Sequence, residues 1–251
     1  MLWIAHRGAS WDAPENTLAS FRLAWKQGAD GIEGDFRLTR DRIAVCHHDR
    51  NTERTSGIKR SVARTSLASL RRLDVGSWKG PSFKTERIPT LEEVLASIRK
   101  EGWFFMEIKS GPKTVRTMME RISDLRSPLD RILGISFSAK VAFELKRQSG
   151  SSFRTGLLVS PGRPPFLGDS LPAPDRILSA LDRTKADAVN IRNHPLLDDS
   201  WIRKIHDTGR EVHVWVVDDP AEARRLEGIG VDSITTNRPG WMKSHVREPL
   251  P

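Results

Sequence analysis

The chain has 251 residues, a formal net charge of +9 and a single cysteine, Cys46. This length suits one domain with a large core, and one cysteine excludes an intrachain disulfide. The charge raises the question of nucleic-acid binding, but the basic residues are dispersed and runs such as Arg71-Arg72 are short, so we expect no nucleic-acid partner. No stretch approaches the roughly 20 apolar residues of a membrane-spanning helix, so we expect no stable membrane insertion.

The N-terminus and the cysteine each allow one further expectation. Met1 leads directly into the short apolar run at residues 2–4, which leaves no room for the parts of a secretory signal peptide. If Met1 is the native start, the protein is expected to be cytoplasmic. Cys46 ends the apolar run at residues 43–45, so we interpret it as a small buried hydrophobe rather than a reactive thiol.

Eight apolar runs with strand character recur along the chain, and helical patterns separate most of them. The runs are residues 2–6, 30–35, 103–109, 131–137, 154–159, 187–191, 211–217 and 231–236. Strands that alternate with helices in this way predict an α/β fold of the (β/α)8 TIM-barrel type.

The domain organisation follows from this barrel. We expect residues 1–251 to form a single domain with a small insertion at about residues 50–89, after the second strand. The insertion has one short helical pattern, around Leu67–Leu73. The proline-rich stretch Pro161–Pro174 lies between periodic segments and is interpreted as a long loop rather than a domain linker.

Several helix ends are marked in the sequence. Apolar residues recur at helical spacing between residues 18 and 25, and Gly28 is placed to end that helix in the left-handed conformation. Thr90–Glu93 has the sequence of a capping box and opens a predicted helix over Leu91–Ile98. Asp219–Glu222 likewise has the sequence of a helix N-terminus, with Pro220 in the first turn.

Between the second and third strands the chain is too long for a simple crossover. Residues 37–45 alternate loosely around a polar turn at residues 39–42, which is typical of a β-hairpin. Such a hairpin would rise above the barrel and return His48 to its mouth, near Glu33 and Asp35.

Five short motifs follow one another in the first 109 residues. They are His6-Arg7-Gly8, Pro14-Glu15-Asn16-Thr17, Glu33-Gly34-Asp35, His48-Asp49 and Glu107-Ile108-Lys109. Each is weak alone, but all five in this order are hard to obtain by chance. The pattern resembles that of the glycerophosphodiester phosphodiesterase family.

Three of the motif residues are carboxylates that we expect at the carboxyl ends of barrel strands, where active sites of this fold lie. Alternation places Glu33 and Asp35 on one face of the second strand. Three oxygen donors suit a hard cation, Mg²⁺ or Ca²⁺, and the resemblance implies Glu33, Asp35 and Glu107 as the ligands. The alternative is that Glu33 and Asp35 are solvent-facing charges paired with Arg37 or Arg40.

The two motif histidines are candidate general acid and base. Because the chain has no tyrosine, acid–base chemistry must come from other residue types, and histidine titrates near neutral pH. The resemblance implies catalytic roles for His6 and His48, and we assign His6 as base and His48 as acid. The nucleophile is either water or the neighbouring glycerol hydroxyl. His47 is expected to face elsewhere and serves as an internal control.

The motif cations are expected to bind the substrate phosphate. Arg7 offers a planar fork and Lys109 a point charge. The alternatives are salt bridges of Arg7 to Glu15 and of Lys109 to Glu107, and both descriptions can hold at once.

The remaining candidates support or line the site. Glu15 is expected to contact the substrate region or to orient Arg7 or a histidine. Asn16 is expected nearby, with helix N-capping as its alternative. The resemblance places Trp215 in the wall of a glycerol pocket. Relatives often have Trp-Thr-Val-Asn here, whereas this chain has Val216, Val217 and Asp218 after the tryptophan.

The resemblance therefore implies metal-dependent hydrolysis of a glycerophosphodiester, a small-molecule substrate, to sn-glycerol 3-phosphate and an alcohol. One alternative is a lysophospholipase D-like activity on lysolipids, although no cationic amphipathic helix is evident that would dock on a membrane surface. Another is a basic nucleic-acid-binding barrel without catalysis, which predicts salt-sensitive binding.

Overall fold

The computed structural model describes residues 1–123, 129–150, 154–163 and 170–246. The strands in these ranges are β1 (Leu2–Ala5), β2 (Gly31–Leu38), β3 (Ala44–Cys46), β4 (Trp103–Ile108), β5 (Ile132–Ser136), β6 (Arg154–Val159), β7 (Ala188–Arg192), β8 (Glu211–Trp215) and β9 (Ser233–Thr236). Eight of them are parallel, in the order β1-β9-β8-β7-β6-β5-β4-β2, and a β1–β2 pairing closes the barrel. The predicted (β/α)8 barrel is confirmed.

Helices cover the outside of the barrel and carry part of the insertion. In the same ranges they are α1 (Leu18–Lys26), α2 (Glu53–Ser56), α3 (Leu67–Leu70), α4 (Leu91–Ala96), α5 (Val115–Ser123), α6 (Ala139–Ser149), α7 (Pro174–Thr184), α8 (Asp199–His206), α9 (Pro220–Gly228) and α10 (Pro239–Val246). Short 3₁₀ helices lie at Val62–Arg64, Pro81–Phe83, Pro112–Thr114 and Leu129–Arg131. None of the described helices is both long and apolar enough to cross a bilayer.

All eight predicted runs are strands, and the main difference lies at the end of β2. This strand continues to Leu38, because Phe36, Arg37 and Leu38 pair in antiparallel register with β3. The predicted hairpin over residues 37–45 is therefore present, and it carries the chain back towards the rim of the barrel.

The helix signals in the sequence act as predicted at their N-termini. Thr90 and Glu93 form a capping box at the start of α4, and Asp219 caps α9 with Pro220 in its first turn. At the C-terminal ends, Gly28 follows α1 with a φ of 78°, as predicted, whereas α4 ends at Ala96 rather than Ile98. The C-terminal bound of a helix commonly differs by one or two residues from the expected one, because the last carbonyls lack intrahelical partners.

Apolar side chains fill the barrel and the layer between strands and helices. Inside the barrel, Ile4, Phe105 and Leu133 belong to one buried cluster. Cys46 packs in a second cluster, between β2, α1 and α4. Burial raises the pKa of its thiol well above the usual value, so the prediction of a buried hydrophobe is confirmed.

The segment between β3 and α4 has a small apolar cluster of its own. Val62, Leu70 and Ile88 pack there against Val45 of the hairpin. The predicted helix near Leu67–Leu73 is present as α3. Part of the predicted loop Pro161–Pro174, residues 164–169, lies outside the described residues.

Candidate active site

Three buried carboxylates meet at the rim of the barrel. Asp35 on β2 and Glu107 on β4 are direct register partners, and Glu33 lies two residues before Asp35 on the same face. Their carboxylate oxygens lie within 4.8 Å of one another. The side chains thus converge as the strand alternation predicted, and they are buried rather than facing solvent.

The three carboxylates have very different pKa values, because they share one desolvated space. Burial and the charges of Asp35 and Glu107 raise the pKa of Glu33 well above its usual value. Burial and the charge of Asp35 raise the pKa of Glu107 to about 7. Burial also acts to raise the pKa of Asp35, but Lys109 and Arg7 outweigh it, so this pKa lies below its usual range. Without a cation the cluster therefore retains protons near neutral pH.

Two cations flank Asp35. Arg7 Nε lies 3.1 Å from Asp35 Oδ2, and its Nη1 donates to Glu15 Oε1 at 2.9 Å. Lys109 Nζ lies 2.8 Å from Glu107 Oε1 and 3.1 Å from Asp35 Oδ1. Both ion pairs that the sequence offered as alternatives are present, and both cations also line the cavity described below.

Asn16 supports Asp35 and does not cap a helix. Its Nδ2 donates to Asp35 Oδ2 at 2.8 Å, and its Oδ1 accepts from the Asp35 backbone N–H at 3.1 Å. The N-cap of α1 is Thr17, whose side chain accepts from the Ser20 N–H. The N-capping alternative for Asn16 is therefore wrong. Its φ of 57° places it in the left-handed region, which asparagine tolerates better than most residues.

The donor set fits a hard divalent cation. Asp35 Oδ1 is buried, and among the described residues its one partner at ion-pair distance is Lys109 Nζ, 3.1 Å away. An ionised carboxylate oxygen that contacts one ammonium can still bind a further cation. Glu33 and Glu107 place two further oxygens beside it, and oxygen-only sites of this kind suit Mg²⁺ or Ca²⁺.

His6 follows β1 and is fixed by a chain of hydrogen bonds. The Asp218 carboxylate, which can only accept, receives bonds from the Asn237 amide nitrogen and from its backbone N–H. The amide oxygen of Asn237 is therefore turned towards His6 Nδ1, 2.7 Å away, and must accept a hydrogen bond from its N–H. This leaves His6 Nε2 unprotonated. Burial and the charge of Arg7 lower the pKa of His6 to about 4, so the ring is neutral at pH 7.

His48 lies just beyond β3 and has a partner of opposite character. Its Nδ1 lies 2.8 Å from the carboxylate oxygen Oδ1 of Asp49. Arg37 donates through Nε and Nη2 to the His48 carbonyl, at 2.9 and 2.7 Å, which holds the loop against β2. The alternative in which Arg37 pairs with Glu33 or Asp35 is therefore wrong. Burial lowers the pKa of His48, although Asp35 and Asp49 act against it.

His47 faces away from this site. Its Nε2 bonds to the backbone carbonyl of Asn51 at 3.0 Å, and its side chain does not line the cavity. Successive side chains of an extended segment point to opposite sides, which separates it from His48. The expectation for this neighbour is met, and it is a suitable control.

A cavity of about 520 Å³ connects these groups. Its lining includes His6, His48, Arg7, Glu33, Glu107, Lys109 and Trp215. Trp215 forms part of the far wall, with its ring 5.6 Å from that of Phe137 and its Nε1 donating to the Asn190 carbonyl at 3.0 Å.

Glu15 does not line the cavity. It lies behind Arg7 and pairs with both Arg7 and Arg54.

The sequence interpretation missed two groups that position His6. Asn237 directly follows β9, and Asp218 follows β8 in the Trp215–Asp218 segment. Since active sites of barrels lie at the carboxyl ends of the strands, polar residues just after every strand were the signal that could have identified both.

Comparison with known proteins agrees with this geometry. Residues 6–241 match the model of the glycerophosphoryl diester phosphodiesterase family. The chain belongs to this family. The Bacillus subtilis protein YhdW is 35% identical over 96% of each chain. A glycerophosphodiester phosphodiesterase of Caldanaerobacter subterraneus subsp. tengcongensis is 31% identical over 98% of each chain.

A solved structure gives the same result for the fold. The Oleispira antarctica phosphodiesterase in complex with the product sn-glycerol-3-phosphate has a TM-score of 0.85 and 28% identity, over 99% of this chain and 97% of that one. The family resemblance predicted from the five motifs is therefore confirmed for nearly the whole chain, and with it the expectation of a family enzyme.

Proposed function

We propose that this protein hydrolyses glycerophosphodiesters to sn-glycerol 3-phosphate and an alcohol, with the help of a divalent cation. The observation that carries the proposal is the cavity lined by two imidazoles, by Glu33 and Glu107 of the carboxylate cluster, and by the cations Arg7 and Lys109 that flank Asp35. The product bound to the Oleispira antarctica relative supports the glycerol phosphate half of the substrate.

Glu33, Asp35 and Glu107 would hold the cation. When bound there, it would supply a positive charge that neutralises a phosphate oxygen and orients the phosphorus. Asn16 and Arg7 keep the Asp35 carboxylate in place by direct contact, so the ligand geometry does not depend on the cation alone. This arrangement of oriented ligands favours tight, specific binding.

His6 is best suited to be the base. The neutral amide of Asn237 contacts its Nδ1 and stabilises an imidazolium less than burial and the charge of Arg7 oppose it, so Nε2 is ready to accept a proton from the attacking hydroxyl or water. His48 is best suited to be the acid, because the Asp49 carboxylate in contact with Nδ1 favours the protonated ring. It would give its Nε2 proton to the departing alkoxide.

Arg7 and Lys109 would bind the phosphate oxygens in this scheme. Their ion pairs with Asp35 and Glu107 keep them extended into the site before substrate arrives, which reduces the entropy lost on binding. Trp215 offers an apolar face to the glycerol carbons.

A coupled assay for glycerol 3-phosphate tests the proposal. With glycerophosphocholine as substrate, we expect turnover that a chelator abolishes and that added Mg²⁺ or Ca²⁺ restores. His6→Ala should lose nearly all activity, whereas His47→Gln should keep most of it if the variant remains folded by thermal unfolding. Absence of turnover with every metal, or equal losses in the two variants, would reject the function.

The pKa of Glu107 gives a second test of the cation site. Because this pKa is about 7 without a cation, binding below pH 7 must displace a proton. The affinity should therefore rise with pH through about 7. Calorimetric titration in two buffers of different ionisation enthalpy counts the released protons, and Glu107→Gln should reduce that release, with the remainder coming from Glu33, whose pKa is also raised.

A further inference from the structure

A second cavity adjoins the candidate active site and has a different chemical character. Its volume is about 440 Å³. It shares Arg37, Arg50, Lys109 and Ser110 with the first cavity, so these four residues lie between the two. The second cavity is enclosed by the β2–β3 hairpin, the insertion and the loop that follows β4.

The lining of this second cavity contains three cations and no carboxylate. It is completed by Leu38, Thr39, Ser61, Val62, Ala63, Gly111 and Thr114. The charge of Lys109 is balanced by its ion pairs with Asp35 and Glu107. Arg37 and Arg50, in contrast, have no carboxylate within ion-pair distance among the residues described, and Arg37 contacts only the His48 carbonyl.

The two arginines also repel each other. Burial lowers the pKa of Arg37, and the like charge of Arg50 acts in the same direction, whereas the carboxylates of Asp35, Glu107 and Asp49, none of them within ion-pair distance, act against it. Two like charges of which neither has an ion-paired carboxylate among the residues described repel each other in the free protein. An arriving anion would relieve this repulsion, and guanidinium groups with nearby hydroxyls are well suited to bind phosphate oxygens.

The second cavity lies on the His48 side of the active site. Arg37 holds the His48 backbone, and Arg50 is two residues further along the chain. Since His48 is the residue assigned to protonate the departing alkoxide, the alcohol half of the substrate would leave towards Arg37 and Arg50. Trp215, which is assigned to the glycerol half, does not line the second cavity.

We propose that the second cavity is a subsite for a phosphate group carried by the alcohol half of the substrate. The inference rests on the proposed function and assigns a substrate class to it, glycerophosphodiesters whose head group bears a second phosphate. A cationic head group is disfavoured, because it would meet Arg37 and Arg50 on leaving. The Phe137 ring that could cover such a group already has the Arg163 guanidinium 4.6 Å from its centre.

The test compares three substrates in the glycerol 3-phosphate assay. They are glycerophosphoinositol 4-phosphate, glycerophosphoinositol and glycerophosphocholine. We expect kcat/KM for the phosphorylated diester to exceed that for glycerophosphoinositol by about tenfold or more, as one charge-assisted contact allows. Equal values for the two inositol diesters would overturn the subsite and leave the hydrolysis intact.

Binding to the His6→Ala variant separates the subsite from the hydrolysis. Calorimetry on this variant compares the affinities of the two inositol diesters without turnover. A preference for the phosphorylated diester supports the subsite even if no substrate is hydrolysed, and equal affinities reject it.

Matched variants locate the effect. Arg50→Gln should reduce the preference for the phosphorylated diester by about fivefold or more, whereas Arg60→Gln, an exposed arginine of the insertion outside both cavities, should change it by less than about twofold. Equal effects of the two variants would mean that general surface charge is responsible and would overturn the assignment.

A negative charge introduced into the second cavity gives the sharpest contrast. Ala63 is exposed and lines the second cavity. Ala63→Glu introduces a carboxylate into a lining that has none and should lower kcat/KM for the phosphorylated diester, while Ala63→Gln has the same shape without the charge. Identical behaviour of these two variants would contradict a phosphate in this cavity.

Discussion

His6 and His48 line the same cavity, but the groups that hold them differ in charge. The Nδ1 of His6 contacts a neutral amide, whose orientation is fixed by a carboxylate one step further away. The Nδ1 of His48 contacts a carboxylate directly. A carboxylate in contact stabilises the imidazolium more strongly than a neutral amide does, and the amide fixes the tautomer of the neutral ring. In the proposed mechanism, this difference suits the two side chains to opposite proton transfers.

Removal of His6 should give the largest effect. Without a base, His6→Ala should lose about 10²–10⁴-fold in kcat, both on glycerophosphocholine and on a p-nitrophenyl diester, since both substrates need an activated nucleophile. Steady-state assays on the two substrates measure this. A loss confined to glycerophosphocholine would reverse the assignment of base and acid.

Removal of His48 should separate the two substrates. His48→Ala should lose about 10²-fold or more on glycerophosphocholine but much less on the p-nitrophenyl diester, whose leaving group needs no proton. The ratio of the two losses is the measured quantity. Equal losses on both substrates would contradict the acid role.

Replacing the Asn237 amide by a carboxylate should give His6 Nδ1 the same kind of partner that His48 Nδ1 has. Asn237→Asp places a carboxylate at Nδ1 and should raise the pKa of His6 by about one unit or more. Because the base must be unprotonated, a higher pKa means that activity is lost at a higher pH as the solution is acidified. The acid limb of the kcat/KM profile should therefore move upwards.

The same variant loses the amide donor to Asp218 and brings two carboxylates together. The double variant Asp218→Asn, Asn237→Asp restores one donor and one acceptor and is the matched control. It should recover stability while keeping the shifted acid limb. A profile identical to that of the wild type in both variants would show that Asn237 does not influence the base.

The smallest effect is expected from the removal of Arg54, which acts on His48 only through Asp49. Arg54 pairs with Asp49 and Glu15, and its side chain is 45% exposed. Arg54→Gln should lower the free energy of unfolding by less than about 1 kcal/mol and reduce kcat only a few-fold, because Asp49 still contacts His48. Lys59→Gln breaks an exposed pair elsewhere in the insertion and is the control. A loss as large as that of His48→Ala would mean that Arg54 has a more direct role.

The barrel and the carboxylate cluster could be predicted because both follow from local patterns. Each strand is marked by its own apolar run, and the alternation of β2 places Glu33 and Asp35 on one face without knowledge of the rest. The meeting with Glu107 then requires only that the next barrel strand pairs in parallel register, as it does between Asp35 and Glu107.

The parts that sequence did not reveal depend on contacts between distant segments. Asn16 bonds to Asp35 rather than to its own helix, although its position next to α1 suggested a cap. The Asp218–Asn237 pair joins the ends of β8 and β9 to a histidine 231 residues away. The second cavity arises only when the hairpin, the insertion and the β4 loop pack together, so no single stretch of sequence marks it.

Two hydrogen bonds join the Arg37 guanidinium to the His48 carbonyl, and they determine which parts of this enzyme could be altered without moving His48. They tie the loop that carries His48 to the barrel immediately before the insertion begins, so the His48 backbone is held from β2 rather than from the insertion. Exposed positions of the insertion such as Ala63 could therefore be changed in size and charge while the groups proposed to transfer protons stay assembled, provided that the buried Val62 is kept. Head-group selectivity and bond cleavage would then evolve, or be engineered, as separable modules of one chain.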